Sequence, residues 1–100
     1  MKGKTDPLKV FICGPIPKKL SCKARVWLVE RMLKKQGYLV VNPLCLPRFL
    51  KGNDAMHVRF GMIDVCDGIY FIDDAAQSID SCLERDAAQA KGLKAINGWP

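Results

Sequence analysis

The chain has 100 residues, enough for a single hydrophobic core and too few for two. Although 49% of them are hydrophobic, no window approaches the ~18–20 unbroken apolar positions of a membrane span, and the polar start Met1-Lys2-Gly3-Lys4-Thr5-Asp6-Pro7 lacks the basic-then-apolar order of a secretory signal. The formal net charge of +6 favours an anionic partner, but the cations form no aromatic-studded stripe, so a small phosphorylated ligand fits better than nucleic acid.

Residues 1–7 read as a flexible tail on one domain spanning 1–100. Leu8-Lys9-Val10-Phe11-Ile12-Cys13 is a short apolar run halted by Gly14-Pro15, the pattern of a buried strand entering a tight turn. Ser21 is placed to N-cap a helix running to about Gln36, with Gly37 just past its end. Cys22, Val26, Val29 and Leu33 recur at helical spacing, and Leu28 and Met32 widen that apolar face. Trp27 lies among these core-like positions and reads as packing or a subunit contact. Tyr38-Leu39-Val40-Val41 is a second strand, closed by Asn42-Pro43.

The stretch from Leu44 to Gly52 has no clean period and reads as an apolar loop. Asn53 is placed to cap a helix from about Asp54 to Val65, on which Met56, Phe60 and Ile63 share a face. Gly61 inside it costs about 1 kcal/mol relative to alanine. Gly68-Ile69-Tyr70-Phe71-Ile72 is a third strand ending at Asp73-Asp74. A helix from about Ser81 to Lys91 follows, stopped by Gly92, and Leu93 to Ile96 form a short last strand.

Strands alternating with helices in this way define an α/β fold. The expected architecture is a small Rossmann-like (flavodoxin-like) domain of three layers, with a four-stranded parallel sheet and right-handed crossovers. The first and third strands are the most apolar and belong in the centre, giving the order 2-1-3-4. Ligands of such sheets bind beyond the strands' carboxyl ends, here Gly14-Pro15, Asn42-Pro43 and the stretch from Asp73 through Glu84.

Within that last stretch, Ser78 precedes Glu84 by six residues, which puts a hydroxyl in the turn and a carboxylate on the first turn of the helix. Two readings are open. The pair suits attack on a sugar carbon by a carboxylate. Equally, Ser81 and Glu84 make a capping box, and Ser78 serves as a turn residue bonded to its own backbone. Asp73 and Asp74 end a strand, or one of them supplies a proton. Lys18 is a solvated cation or a phosphate contact, and Asp67 is a helix-to-strand turn residue. His57, the single histidine, has no ligand partner at metal spacing. The five cysteines, Cys13, Cys22, Cys45, Cys66 and Cys82, form no Cys-x-x-Cys pair. They argue against a disulfide framework or zinc ribbon and for a reducing, cytoplasmic setting.

Several landmarks occur together and in order: Cys13-Gly14-Pro15, then Gly37-Tyr38-Leu39-Val40-Val41-Asn42-Pro43, then Cys66-Asp67-Gly68-Ile69-Tyr70, and finally Ser78 and Glu84. On these the chain resembles the nucleoside 2-deoxyribosyltransferase superfamily, and within it the compact phage and bacterial branch. The resemblance implies that Glu84 attacks C1′ of a deoxyribonucleoside or its 5′-monophosphate and releases the base, the sugar then passing to another base or to water. It implies Ser78 as the contact to phosphate or sugar, and Gly14-Pro15 as a loop approaching the ligand. Asp74 is the candidate acid, and Gly14, Pro15, Lys18, Asn42, Asp73, Ser78 and Asp80 are the candidate substrate-binding residues. No metal or organic cofactor is implied, and a homodimer or larger homo-oligomer is.

Two positions depart from the superfamily pattern. Asp80 stands where a glycine lies between the serine and the glutamate. Arg59 stands eight residues before Asp67, where catalytic relatives carry an aspartate. Arginine delivers no proton at neutral pH. A protein that sequesters or senses a nucleotide on the same scaffold is therefore the alternative expectation.

Overall fold

A computed structural model describes residues 7–14, 20–43, 49–50, 52–72 and 79–99, apart from the side chains of 20–22 and 79–81. In chain order it contains β1 (Lys9–Cys13), α1 (Leu20–Lys35), β2 (Leu39–Val41), α2 (Asn53–Val65), β3 (Gly68–Phe71), α3 (Ile79–Lys91) and β4 (Lys94–Ala95). The strands form one parallel sheet in the order β2-β1-β3-β4, as the apolar ranking of the strands requires. Phe11 pairs with Val41 on one side and with Ile69 on the other, and Cys13 pairs with Phe71 at the carboxyl end.

The two central strands are apolar on both faces, as in a sheet covered on both sides. Phe11, Cys13, Ile69 and Phe71 pack with Ile63 of α2 and Ala88 of α3. Val10 and Ile12 point the other way, onto Leu33 of α1. Period-two alternation in the strands thus assigns α2 and α3 to one layer and α1 to the other. No helix among the described residues is long and apolar enough to cross a membrane.

Two of the three helices, α1 and α3, end at a glycine. Gly37 adopts φ 95°, with Gly37 N–H donating to Lys34 O and Tyr38 N–H to Leu33 O. Gly92, at φ 75°, repeats the arrangement with Gln89 and Ala88. Both are Schellman closures, which demand a left-handed residue at this point.

Helix starts fall earlier than their cap-type residues indicate. α1 begins at Leu20 and α3 at Ile79, so Ser21 and Ser81 lie inside their helices rather than capping them. Asn53 is the first residue of α2, whose N-cap is Gly52 with no side-chain bond. Of the two roles expected for Trp27, core packing is not the one observed. Trp27 is 55% exposed and lies under the Arg31 guanidinium, 5.4 Å from the ring centroid. Leu28 and Met32 are also exposed, and among the described side chains of α1 the buried stripe is Val26 and Leu33, with Val29 partly buried beside them.

Side chains extend the backbone ladder at both ends of β3. At the amino end, the Asp67 carboxylate accepts from Lys9 N–H at 2.9 Å, while Asp67 N–H donates to Lys9 O at 2.8 Å. This confirms Asp67 as a turn residue, remote from the carboxyl ends. At the other end the Asn97 amide bonds both polar backbone groups of Phe71, accepting from N–H at 3.0 Å and donating to O at 2.7 Å.

Candidate functional site

The two helices on one face present their charged residues to the carboxyl half of the sheet. In α2, Arg59 and Ile63 are the buried residues, four apart and so stacked on one face. In α3, Glu84 and Ala88 repeat that spacing and are both buried. Helices returning antiparallel to the strands start beside the strands' carboxyl ends. Ile63 and Ala88 therefore meet the deep apolar core, and Arg59 and Glu84 meet its upper rim. The small Ala88, with no exposed surface, lets α3 lie close to the sheet.

The Glu84 carboxylate lies at the end of β1. The Cys13 thiol donates to its Oε2 at 3.4 Å, and Arg59 Nε stands 3.7 Å from its Oε1. Glu84 is 2% exposed and Arg59 7%. A lone carboxylate at such depth is strongly disfavoured, and a guanidinium beside it supplies the opposite charge that makes its burial tolerable. The contact joins the two helices at their sheet-facing rim. An exposed ion pair, Lys91 Nζ to Asp64 Oδ1 at 2.9 Å, joins them near the opposite end.

This geometry removes one of the two local readings of Glu84, the capping box. A capping box needs Ser81 outside the helix and Glu84 bonded back to its amide. Here α3 already starts at Ile79, and the Glu84 carboxylate is engaged by Cys13 and Arg59. The capping box is not formed. Arg59, noted in the sequence only as the loss of an acid, turns out to be the ionic partner of Glu84. No sequence signal marked Cys13 as a contact of that carboxylate; its place at the end of the most apolar strand is the one available clue.

Of the other candidates, Gly14 directly follows β1 and Asn42 directly follows β2, one residue beyond the pair of Phe11 with Val41. A β-carbon at Gly14 would stand 3.3 Å from Ile72 Cβ, so the chain passes close to the end of β3 there. Asp80 belongs to the first turn of α3. Pro15, Lys18, Asp73, Asp74 and Ser78, and the apolar stretch 44–48, lie outside the described residues. His57 is exposed on α2, and the described residues hold no group of three or more His, Cys, Asp or Glu able to bind a metal ion. Cys13, Cys66 and Cys82 are not in disulfides.

The fold is that of solved deoxyribosyltransferases. The 2-desoxiribosyltransferase from Leishmania mexicana superimposes with a TM-score of 0.69 at 19% identity, over 90% of this chain and 63% of that one. The 2-deoxyribosyltransferase from Bacillus psychrosaccharolyticus, described as a biocatalyst for nucleoside synthesis, gives 0.68 at 19% identity, over 87% of this chain and 69% of that one. The chain thus spans about two thirds of the length of these neighbours. No curated protein matches it. The family model described as "Domain of unknown function (DUF4406)" covers residues 8–97, from the approach to β1 through Asn97, and the chain belongs to that family.

Proposed function

We propose that this domain binds a nucleoside or its 5′-monophosphate and that Glu84 acts on the N-glycosidic bond. The observation that carries the reading is the position of the Glu84 carboxylate. It is drawn away from its own helix terminus to the carboxyl end of β1, where open parallel sheets take their ligands. The fold shared with nucleoside-processing transferases supports the substrate class.

In this mechanism a Glu84 oxygen bonds to C1′ as the C1′–N bond breaks, and the electron pair of that bond leaves with the base. Asp74 delivers the proton that the departing nitrogen requires. The incoming acceptor, a second base or water, then bonds to C1′, gives its proton to the now ionised Asp74 and releases Glu84 as a carboxylate, giving transfer or hydrolysis respectively. Arg59 supplies a fixed positive charge beside Glu84, holding it ionised for attack. Gly14, Pro15, Asn42, Asp73 and Asp80 border the sugar and base, while Ser78 and Lys18 take the phosphate, next to the start of α3.

Incubation with a panel of deoxynucleosides and deoxynucleoside monophosphates, read by chromatography for free base, tests the reading. Wild type is expected to release base from at least one compound, and Glu84→Gln from none, because the amide forms no sugar ester. Full turnover by Glu84→Gln ends the assignment.

One observation favours a second reading, in which the domain holds a nucleotide without cleaving it. Glu84 is already neutralised by Arg59 and almost fully enclosed. Under that reading calorimetry shows binding and chromatography shows no free base. A homodimer or larger assembly accompanies either reading, supported by the apolar side chains that α1 and β2 leave exposed at Leu28, Met32 and Leu39. Light scattering at the monomer mass would exclude it.

A further inference from the structure

The chain turns back over the sheet after β4. Asn97 fastens to the backbone of Phe71 through two hydrogen bonds of 3.0 and 2.7 Å. Gly98 follows with φ 87°, a left-handed conformation that side-chain-bearing residues rarely adopt. That pair of features delivers Trp99 to Phe71, with ring centroids 5.6 Å apart and planes tilted by 56°. Such a contact covers only part of an indole, and Trp99 stays 40% exposed.

The location of the indole is the informative part. Phe71 is the last residue of β3 and pairs in register with Cys13, the last residue of β1. Both side chains belong to the layer shared with α2 and α3. Cys13 in turn touches the Glu84 carboxylate at 3.4 Å. Glu84, Cys13, Phe71 and Trp99 therefore run in sequence across the carboxyl edge of neighbouring strands, which are spaced about 4.8 Å apart. An anchored, half-open aromatic face thus stands on the same sheet edge and in the same layer as the buried carboxylate.

We propose that Trp99 is the stacking face for the planar heteroaromatic ring of the ligand whose sugar lies at Glu84. This rests on the nucleoside-binding reading above and adds a base-binding residue to it. Stacking on an indole tolerates any base, because every base offers a π-face. Trp99 therefore contributes affinity for nucleosides as a class, and discrimination among bases falls to other groups. Asn97 and Gly98 are positioning residues that aim it.

The chain has two tryptophans, Trp27 and Trp99, so Trp27→Phe makes Trp99 the sole indole reporter. In that variant, titration with deoxynucleoside 5′-monophosphates is expected to quench the emission saturably. Titration with 2-deoxyribose 5-phosphate, which has no base, should leave it unchanged. Trp99→Leu, which keeps an apolar cover over Phe71 and removes the π-face, should weaken nucleotide binding about tenfold by calorimetry. Trp99→Phe should stay within a few-fold of wild type.

Binding by calorimetry with unchanged Trp99 emission, and with affinity unaltered in Trp99→Leu, overturns the proposal and leaves the nucleotide reading standing. Absence of binding to every nucleotide overturns both. Melting temperatures of Trp99→Leu and Trp99→Phe accompany the titrations. A drop in affinity shared equally by both variants also overturns the stacking role, since phenylalanine retains a π-face.

Discussion

Arg59 and Glu84 meet across two helices with 3.7 Å between Nε and Oε1, both buried at the upper rim of the core. The pair is 25 residues apart in the chain. Breaking a buried ion pair by removing one partner costs about 3–5 kcal/mol, whereas exchanging both for apolar groups is often neutral or better. Arg59→Met and Glu84→Leu are each expected to lose about 3 kcal/mol in urea unfolding. The double variant should recover most of it. Additive losses in that cycle would show that the two side chains are not energetically coupled.

Two glycines are expected to respond to alanine with opposite signs. At Gly68 a β-carbon would stand 3.1 Å from Lys94 O and 3.1 Å from Ile96 Cδ1. The carbonyl belongs to the paired β4 backbone and yields little, so Gly68→Ala should destabilise by about 1–3 kcal/mol. At Gly61, inside α2, a β-carbon meets nothing within 4 Å, and alanine should stabilise by about 0.5–1 kcal/mol through helix propensity and reduced freedom of the unfolded chain. Thermal unfolding of the two variants separates them.

Asn97 acts through both ends of its amide. Asn97→Ala removes two hydrogen bonds to Phe71 and should cost about 1–2 kcal/mol. Asn97→Asp keeps the acceptor for Phe71 N–H but faces a carboxylate oxygen to Phe71 O. It is therefore expected to be no more stable than the alanine variant at neutral pH. Retention of wild-type stability by Asn97→Asp would mean that the bond to the Phe71 carbonyl contributes nothing.

The exposed pair Lys91–Asp64 is the counterexample to Arg59–Glu84. Its N–O distance is shorter, 2.9 Å, yet both side chains are more than half exposed. Lys91→Ala is expected to change stability by less than about 1 kcal/mol, and raising salt should change it little further. Burial, rather than distance, ranks the two interactions.

The architecture was legible because it rests on local pattern. Two apolar runs, each cut short by a polar or turn-forming residue, announced β1 and β3, and their apolarity gave the order 2-1-3-4. Gly37 and Gly92 announced helix ends because the Schellman closure asks for one specific conformation. Helix starts were less legible. Ser21, Asn53 and Ser81 all have cap chemistry, but cap-type residues are also tolerated within a helix, and the helices start one to three residues earlier than those caps imply. The carboxylate of Glu84 was legible as a candidate. Its partners were not, since nothing local ties residue 84 to residues 13 and 59. Helical period alone did not separate the two roles expected of Trp27, and the indole lies outside the core with Arg31 over it. The clamp of Asn97 on Phe71 has no local signature at all.

That clamp bears on how the sheet ends. β4 has two residues against four in β3, so on the side away from β1 the last backbone groups of β3 have no strand beside them. An uncovered N–H and C=O on the margin of a sheet form a template onto which another chain's strand can add. At Phe71 one asparagine occupies both groups at once. The domain thus closes that stretch of its margin with a side chain rather than a longer strand, and lowers its exposure to edge-to-edge aggregation without lengthening the sheet.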